Sequence, residues 1–140
     1  MREAVTTRGL EQRNAPRGKI LLVDEDPQDL QLYTALLREQ GHVVECCVTY
    51  LEAAERLEGE RYDLIIMSQK GQTFDGQPLL ERAIELDRRR PVLVLTRSLD
   101  RRSYVDSMYL GARDYLEKPV VPGEILKTVS NCLSYRLVAA

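Results

Sequence analysis

Five polar side chains stand at the ends of short runs and could act together: Asp24 and Glu25 after Ile20-Leu21-Leu22-Val23, Ser68 after Leu64-Ile65-Ile66-Met67, Thr96 after Val92-Leu93-Val94-Leu95, and Lys118 after Asp114 to Glu117. Paired carboxylates suit a hard divalent cation, which can also take phosphate oxygens, and an ammonium neutralises charge that develops beside it. Each residue alone has a plainer reading. Asp24-Glu25-Asp26 is also a helix cap with its acidic flank. Thr96 is also an ordinary strand-end hydroxyl, and Lys118-Pro119 a turn whose peptide bond can be cis. Convergence from distant parts of the chain is the stronger signal.

The runs that carry these residues are strands. Three are apolar at every position, so both their faces must be covered, as in the centre of a parallel sheet. His42 to Val48, with Glu45 inside it, suits one edge, and Asp114 to Glu117 the other. Helical stretches alternate with them. Asp26 is an N-cap, Pro27 sits in the first turn, and Asp29 lies near the positive end of the dipole. Leu30, Tyr33 and Leu37 share a face, and Gly41 ends this helix. Leu51, Ala54 and Leu57 mark a second helix closed by Gly59, and Leu80, Ala83 and Ile84 a third. Val105, Met108, Tyr109 and Ala112 mark a fourth, and Ile125, Val129, Cys132 and Leu133 a fifth. Five strand–helix units with right-handed crossovers make a doubly wound α/β fold, flavodoxin-like, with strand order 2-1-3-4-5. Ligands of such sheets bind beyond the carboxyl ends of the strands, where the five polar residues stand.

The rest of the chain narrows the function classes. Its 140 residues, 44% apolar and 30% charged with no Trp, fit one soluble domain. A net charge of −2, from 20 basic and 22 acidic residues, gives no pull toward nucleic acid or membrane. Arg88-Arg89-Arg90 reads as a solvated helix end. Cys46, Cys47 and Cys132 have no disulfide-framework or metal-ligand spacing, and His42 is the only histidine. Met1 to Gly18 is polar and aperiodic, a flexible leader without a signal core, so the expected compartment is the cytoplasm. Residues 19–137 form the domain, and no separate effector domain is expected after it.

The run Ile20 to Pro27, then Tyr62-Asp63-Leu64-Ile65-Ile66-Met67, Phe74-Asp75-Gly76, Val94-Leu95-Thr96 and Gly111-Ala112-Arg113-Asp114-Tyr115-Leu116-Glu117-Lys118-Pro119 resemble, in order and spacing, the response-regulator receiver domains of two-component signalling. The likeness covers about residues 19 to 133. It implies that Asp24 and Glu25 are the acidic pair for Mg²⁺, Thr96 the switch hydroxyl, Lys118 the phosphate-binding lysine, and Tyr115 the aromatic that turns inward on activation. It also implies a protein partner, a histidine kinase or an output protein, docked on the fourth helix, fifth strand and fifth helix, with a homodimer as one form of such contact.

The departures cluster at the same place. The position of the acceptor aspartate holds Ser68, a far poorer nucleophile without a base to activate it. Its loss takes a charge from the cation site, so Mg²⁺ binding is expected to be weakened and no other cofactor is expected. Lys70 adds no cation affinity, Gln72 stands where many members carry Pro, and Val120 where Phe is common. Arg97 replaces a small residue; it is expected to cover the pocket or to pair with Asp24 or Glu25 in place of Mg²⁺. The leading expectation is a pseudo-receiver without enzymatic activity, signalling by contact. Tyr104 and Tyr109, on the fourth helix, are expected to pack its inner face. Alternatives are phosphotransfer through Ser68, with Asp24 or Glu25 as base, and a small nucleotide- or flavin-binding protein. The latter is disfavoured because Asp24-Glu25-Asp26 occupies the phosphate-loop position.

Overall fold

The computed structural model describes residues 16–70, 75–98 and 100–139. Five strands, β1 (Lys19–Val23), β2 (Val43–Cys47), β3 (Leu64–Gln69), β4 (Val92–Thr96) and β5 (Asp114–Glu117), alternate with five helices, α1 (Pro27–Glu39), α2 (Tyr50–Gly59), α3 (Gln77–Leu86), α4 (Arg101–Tyr109) and α5 (Pro122–Ala139). All neighbouring strands pair in parallel, in the order β2-β1-β3-β4-β5. The expected architecture and edge strands are therefore observed.

Alternation along the strands divides the core in two. Leu21, Val23, Ile65, Met67, Val92 and Val94 face α2 and α3, meeting Ala53, Leu57, Leu80 and Ala83. Ile20, Leu22, Leu64, Ile66, Leu93 and Leu95 face α1 and α5, meeting Tyr33, Leu37, Ile125 and Val129. Burial on both faces explains why the central strands are apolar between their ends, with polar residues only at the start of β1 and the last positions of β3 and β4.

Local signals set the helix starts. The Asp26 carboxylate accepts from the Gln28 and Asp29 N–H groups at 2.9 and 3.4 Å, Thr49 caps α2, and Asp100 caps α4. Gly41, at φ +93°, takes the left-handed turn that ends α1. Replacing Asp26 by alanine is expected to remove about 1 kcal/mol of stability, the usual worth of such a cap, measured as a lower urea midpoint with an unchanged slope.

Five side-chain expectations are corrected. Leu51 is exposed; α2 packs through Tyr50, Ala53, Ala54 and Leu57 instead. In α4, Val105 and Tyr109 are 52% and 88% exposed, and Tyr104 is also exposed. The fully buried residues of that helix are Ser103 and Ser107. The Tyr115 ring, rising from β5, lies beneath α4 and meets Tyr104 edge to face, and Met108 packs partly buried against the same core. Arg88 and Arg89 are solvated, but Arg90 is buried and donates to the Ala83 carbonyl at 3.0 Å. His42 holds the chain entry, its Nδ1 accepting from the Gly18 N–H at 3.1 Å.

Candidate functional site

The strand ends place Asp24, Ser68 and Lys118 in direct contact. The Asp24 N–H donates to the Cys47 carbonyl at 3.0 Å, which pins the first strand end against β2. Ser68 and Gln69 finish β3 opposite Leu95 and Thr96. The Lys118 N–H donates to the Thr96 carbonyl at 2.6 Å, and the Lys118–Pro119 bond is cis. The Lys118 side chain lies inward and is buried. Its Nζ donates to Asp24 Oδ2 at 2.7 Å, Asp29 Oδ2 at 3.0 Å and Ser68 Oγ at 2.9 Å. An ammonium has three protons, and all three have acceptors.

Asp29 is the residue that sequence reasoning missed. It was read as a dipole-end charge, yet it lies in the site and also accepts from Arg97 Nη2 at 2.6 Å. Its carboxyl is subject to burial, which pushes its pKa up; the hydrogen bond and charge of Lys118, with Arg97, outweigh this and hold it below the ordinary carboxylate range. The available signal was its place in the first turn after a strand that ends at the switch point. Arg97 lines the cleft, and its pairing differs from the expected one: it engages Asp29, with Asp26 at 3.7 Å, rather than Asp24 or Glu25. Asp29 lies inside the first turn of α1 and Arg97 at the start of the β4–α4 connection, which makes them the facing pair.

Glu25 and Lys70 lie at the rim, 3.6 Å apart and largely solvated. An exposed pair of this kind contributes about 0–1 kcal/mol. Tyr50 closes the floor by donating to the Ser68 carbonyl, and its phenol is pushed well above the ordinary range, mainly by burial and secondarily by the charges of Glu25, Asp75 and Asp24. The resulting cleft of about 460 Å³ is lined by Asp24, Glu25, Asp26, Tyr50, Ser68, Gln69, Lys70, Arg97, Ser98 and Lys118. Gln72 and Phe74 lie outside the described residues.

Thr96 is fully buried and does not line that cleft. Its hydroxyl donates to the Ser98 carbonyl at 3.2 Å and accepts from the Ser98 N–H at 3.1 Å. Tyr115 points inward and donates to Gln69 Oε1 at 2.9 Å. Burial raises the Tyr115 pKa, while a hydrogen bond from Thr96 opposes the rise. Gln69 was also missed; the signal was an amide at the end of an otherwise apolar strand.

A model of the response regulator receiver domain matches residues 20–130. The chain belongs to this family. Among relatives of the receiver domain, an uncharacterised 14.6 kDa protein from Leptolyngbya boryana is 34% identical over 122 residues, covering 83% of this chain and 91% of that protein. The phosphoglycerate transport system transcriptional regulatory protein PgtA of Salmonella typhimurium is 30% identical over 117 residues, covering 84% of this chain. The receiver domain spans 28% of PgtA's length. A solved CheY-like receiver domain protein from Methanospirillum hungatei superposes with a TM-score of 0.83 at 27% identity, covering 89% of this chain and all of that one.

Receiver domains bind Mg²⁺ at an acidic site, and the corresponding residues here are Asp24 and Glu25. As arranged they do not fit the ion. Asp24 spends one oxygen on the Asp26 N–H at 3.0 Å and the other on Lys118, while Glu25 faces Lys70 at the rim. Among the described residues no three acidic, histidine or cysteine side chains are grouped as a metal site. Nor is any helix among them long and apolar enough to cross a membrane.

Proposed function

We propose that this receiver domain signals through protein contacts, without aspartyl phosphorylation and without catalysis of its own. The observation that carries the reading is Lys118: its three protons rest on Asp24, Asp29 and Ser68. The ammonium that would meet an incoming phosphoryl oxygen is thus engaged by the chain itself, and Arg97 covers the mouth. No base among the described residues is hydrogen-bonded to the Ser68 hydroxyl. Among the described residues its hydroxyl is met by the Lys118 ammonium, a proton donor, and a nucleophilic hydroxyl needs a proton acceptor there.

The contact surface is the face formed by α4, β5 and α5, where Tyr104, Val105, Tyr109, Val121 and Tyr135 expose apolar surface. Its partner is a histidine kinase or an output protein in the cytoplasm; because PgtA is a transcriptional regulatory protein, an output on transcription is the first to test. A second copy of the chain is another occupant of the same face.

Incubation with a small acyl phosphate and Mg²⁺ is expected to leave the intact mass unchanged. A phosphoryl adduct mapping to Ser68 overturns the reading.

A further inference from the structure

Gln69 follows Ser68 at the end of β3 and is 2% exposed. It opposes Thr96 in the sheet, so its hydrogen bond to the Tyr115 hydroxyl reaches across β4 to β5. The Tyr115 ring in turn meets Tyr104 of α4 edge to face, with centroids 5.6 Å apart at 82°. This contact carries weight, because the buried side chains of α4 are the small Ser103 and Ser107, with Met108 only partly buried against the core. The Ser107 hydroxyl has no hydrogen-bond partner among the described residues, so it does not tether the helix. The placement of α4 therefore depends on the ring beneath it.

We infer that Gln69 is a positioning residue: by accepting the Tyr115 proton it keeps that ring inside and so sets the place of α4 and of the exposed apolar face that α4 carries. The functional meaning rests on the reading of that face as the contact surface. A buried phenol needs an acceptor for its proton. The Thr96 hydroxyl is already engaged with the Ser98 backbone, donating to its carbonyl and accepting from its N–H. Without Gln69 the phenol satisfies its proton by turning toward water, and α4 loses its support.

Nitration by tetranitromethane, mapped by peptide mass, tests this on the intact chain. Tyr109 is exposed and Tyr33 is buried in the core, so both serve as internal controls. In the wild type, Tyr109 is expected to react while Tyr33 and Tyr115 do not. Gln69→Met keeps the volume and removes the acceptor; it is expected to raise Tyr115 nitration about ten-fold or more, the shift an unsatisfied buried hydroxyl produces, with Tyr33 still protected. A Tyr115 that stays protected in this folded variant overturns the inference.

Reaction at Tyr33 would mean that Gln69→Met has unfolded, and Tyr115→Phe then decides. It removes the hydroxyl that donates to Gln69 Oε1 and is expected to speed amide exchange across Arg101–Tyr109 relative to α5. The double variant, which buries neither polar group, is expected to restore protection, because apolar replacement of both partners is nearly neutral. Unchanged exchange in Tyr115→Phe, or no restoration in the double variant, overturns the inference. A phosphoryl adduct on Ser68 would overturn the proposed function and leave this result standing; a protected Tyr115 in folded Gln69→Met would do the reverse.

Discussion

Lys118→Met is expected to destabilise the domain by about 3–5 kcal/mol, the cost of removing one partner from a buried ion pair. The side chains of Lys118 and Asp24 are each 2% exposed, so water does not replace the lost ammonium. Methionine conserves the length of the stem and removes the charge, which isolates the electrostatic loss from a packing loss. Asp29 keeps Arg97, so Asp24 bears most of the effect. With a denaturant slope of about 2 kcal/mol per molar, the urea midpoint falls by roughly 2 M.

The pH dependence gives this prediction a sign. In the wild type the folded pKa of Asp29 is depressed, so its contribution is present above the unfolded carboxylate value and is lost as pH falls through the lower folded value. Without Lys118, burial is no longer outweighed by two cations, and protonation of Asp29 ceases to oppose folding as strongly. The deficit of the variant relative to wild type should therefore shrink as pH falls toward about 4. A deficit below about 1 kcal/mol that is flat with pH is the value of an exposed pair and would rule out a buried, charge-dependent cluster.

Ser68→Asp is expected to create a Mg²⁺ dependence that the wild type lacks. The added carboxylate stands where Ser68 Oγ meets Lys118 at 2.9 Å. It competes with Asp24 for the ammonium and completes a set of carboxylate oxygens with Asp24 and Glu25, the ligands a hard cation requires. At a Mg²⁺ concentration about 100 times its dissociation constant, stability rises by about 2.7 kcal/mol. Thermal melts with and without Mg²⁺ measure the gain. If Ser68→Asp alone gains nothing while Ser68→Asp with Arg97→Ala does, Arg97 is the obstruction. If neither gains, the lost carboxylate is not what disables the cation site, and the ion cluster around Lys118 is closed for other reasons.

The two predictions draw on different depths of the sequence. Ser68, Asp24, Glu25 and Lys118 were legible because each ends or follows a run whose strand character is plain, and strand order brings those ends to one side of the sheet; Thr96 ends such a run too, but its hydroxyl engages the Ser98 backbone and does not line the cleft. Gln69 and Asp29 were not legible as site residues. An amide at a strand end and an acid in a first helical turn each have a sufficient local explanation, and nothing local says which partner they meet. The same limit applies to α4, whose helical period of Val105, Met108, Tyr109 and Ala112 includes two residues that pack on the core, Met108 and Ala112, and two that are exposed.

The sequence by itself determined the alternation of strands and helices, the all-apolar centre of the sheet, the caps of α1 and the convergence of polar residues at the switch point. These depend on period and on near neighbours along the chain. Only the tertiary structure decided which charges pair. Arg97 reaches Asp29 across 68 residues, and Lys118 reaches Asp29 and Asp24 across 89 and 94. It also decided that Tyr115 and Met108, rather than Val105 or Tyr109, pack beneath that helix. Such choices depend on distances between elements and on the volume left between them once the sheet is assembled, and a local pattern carries neither quantity.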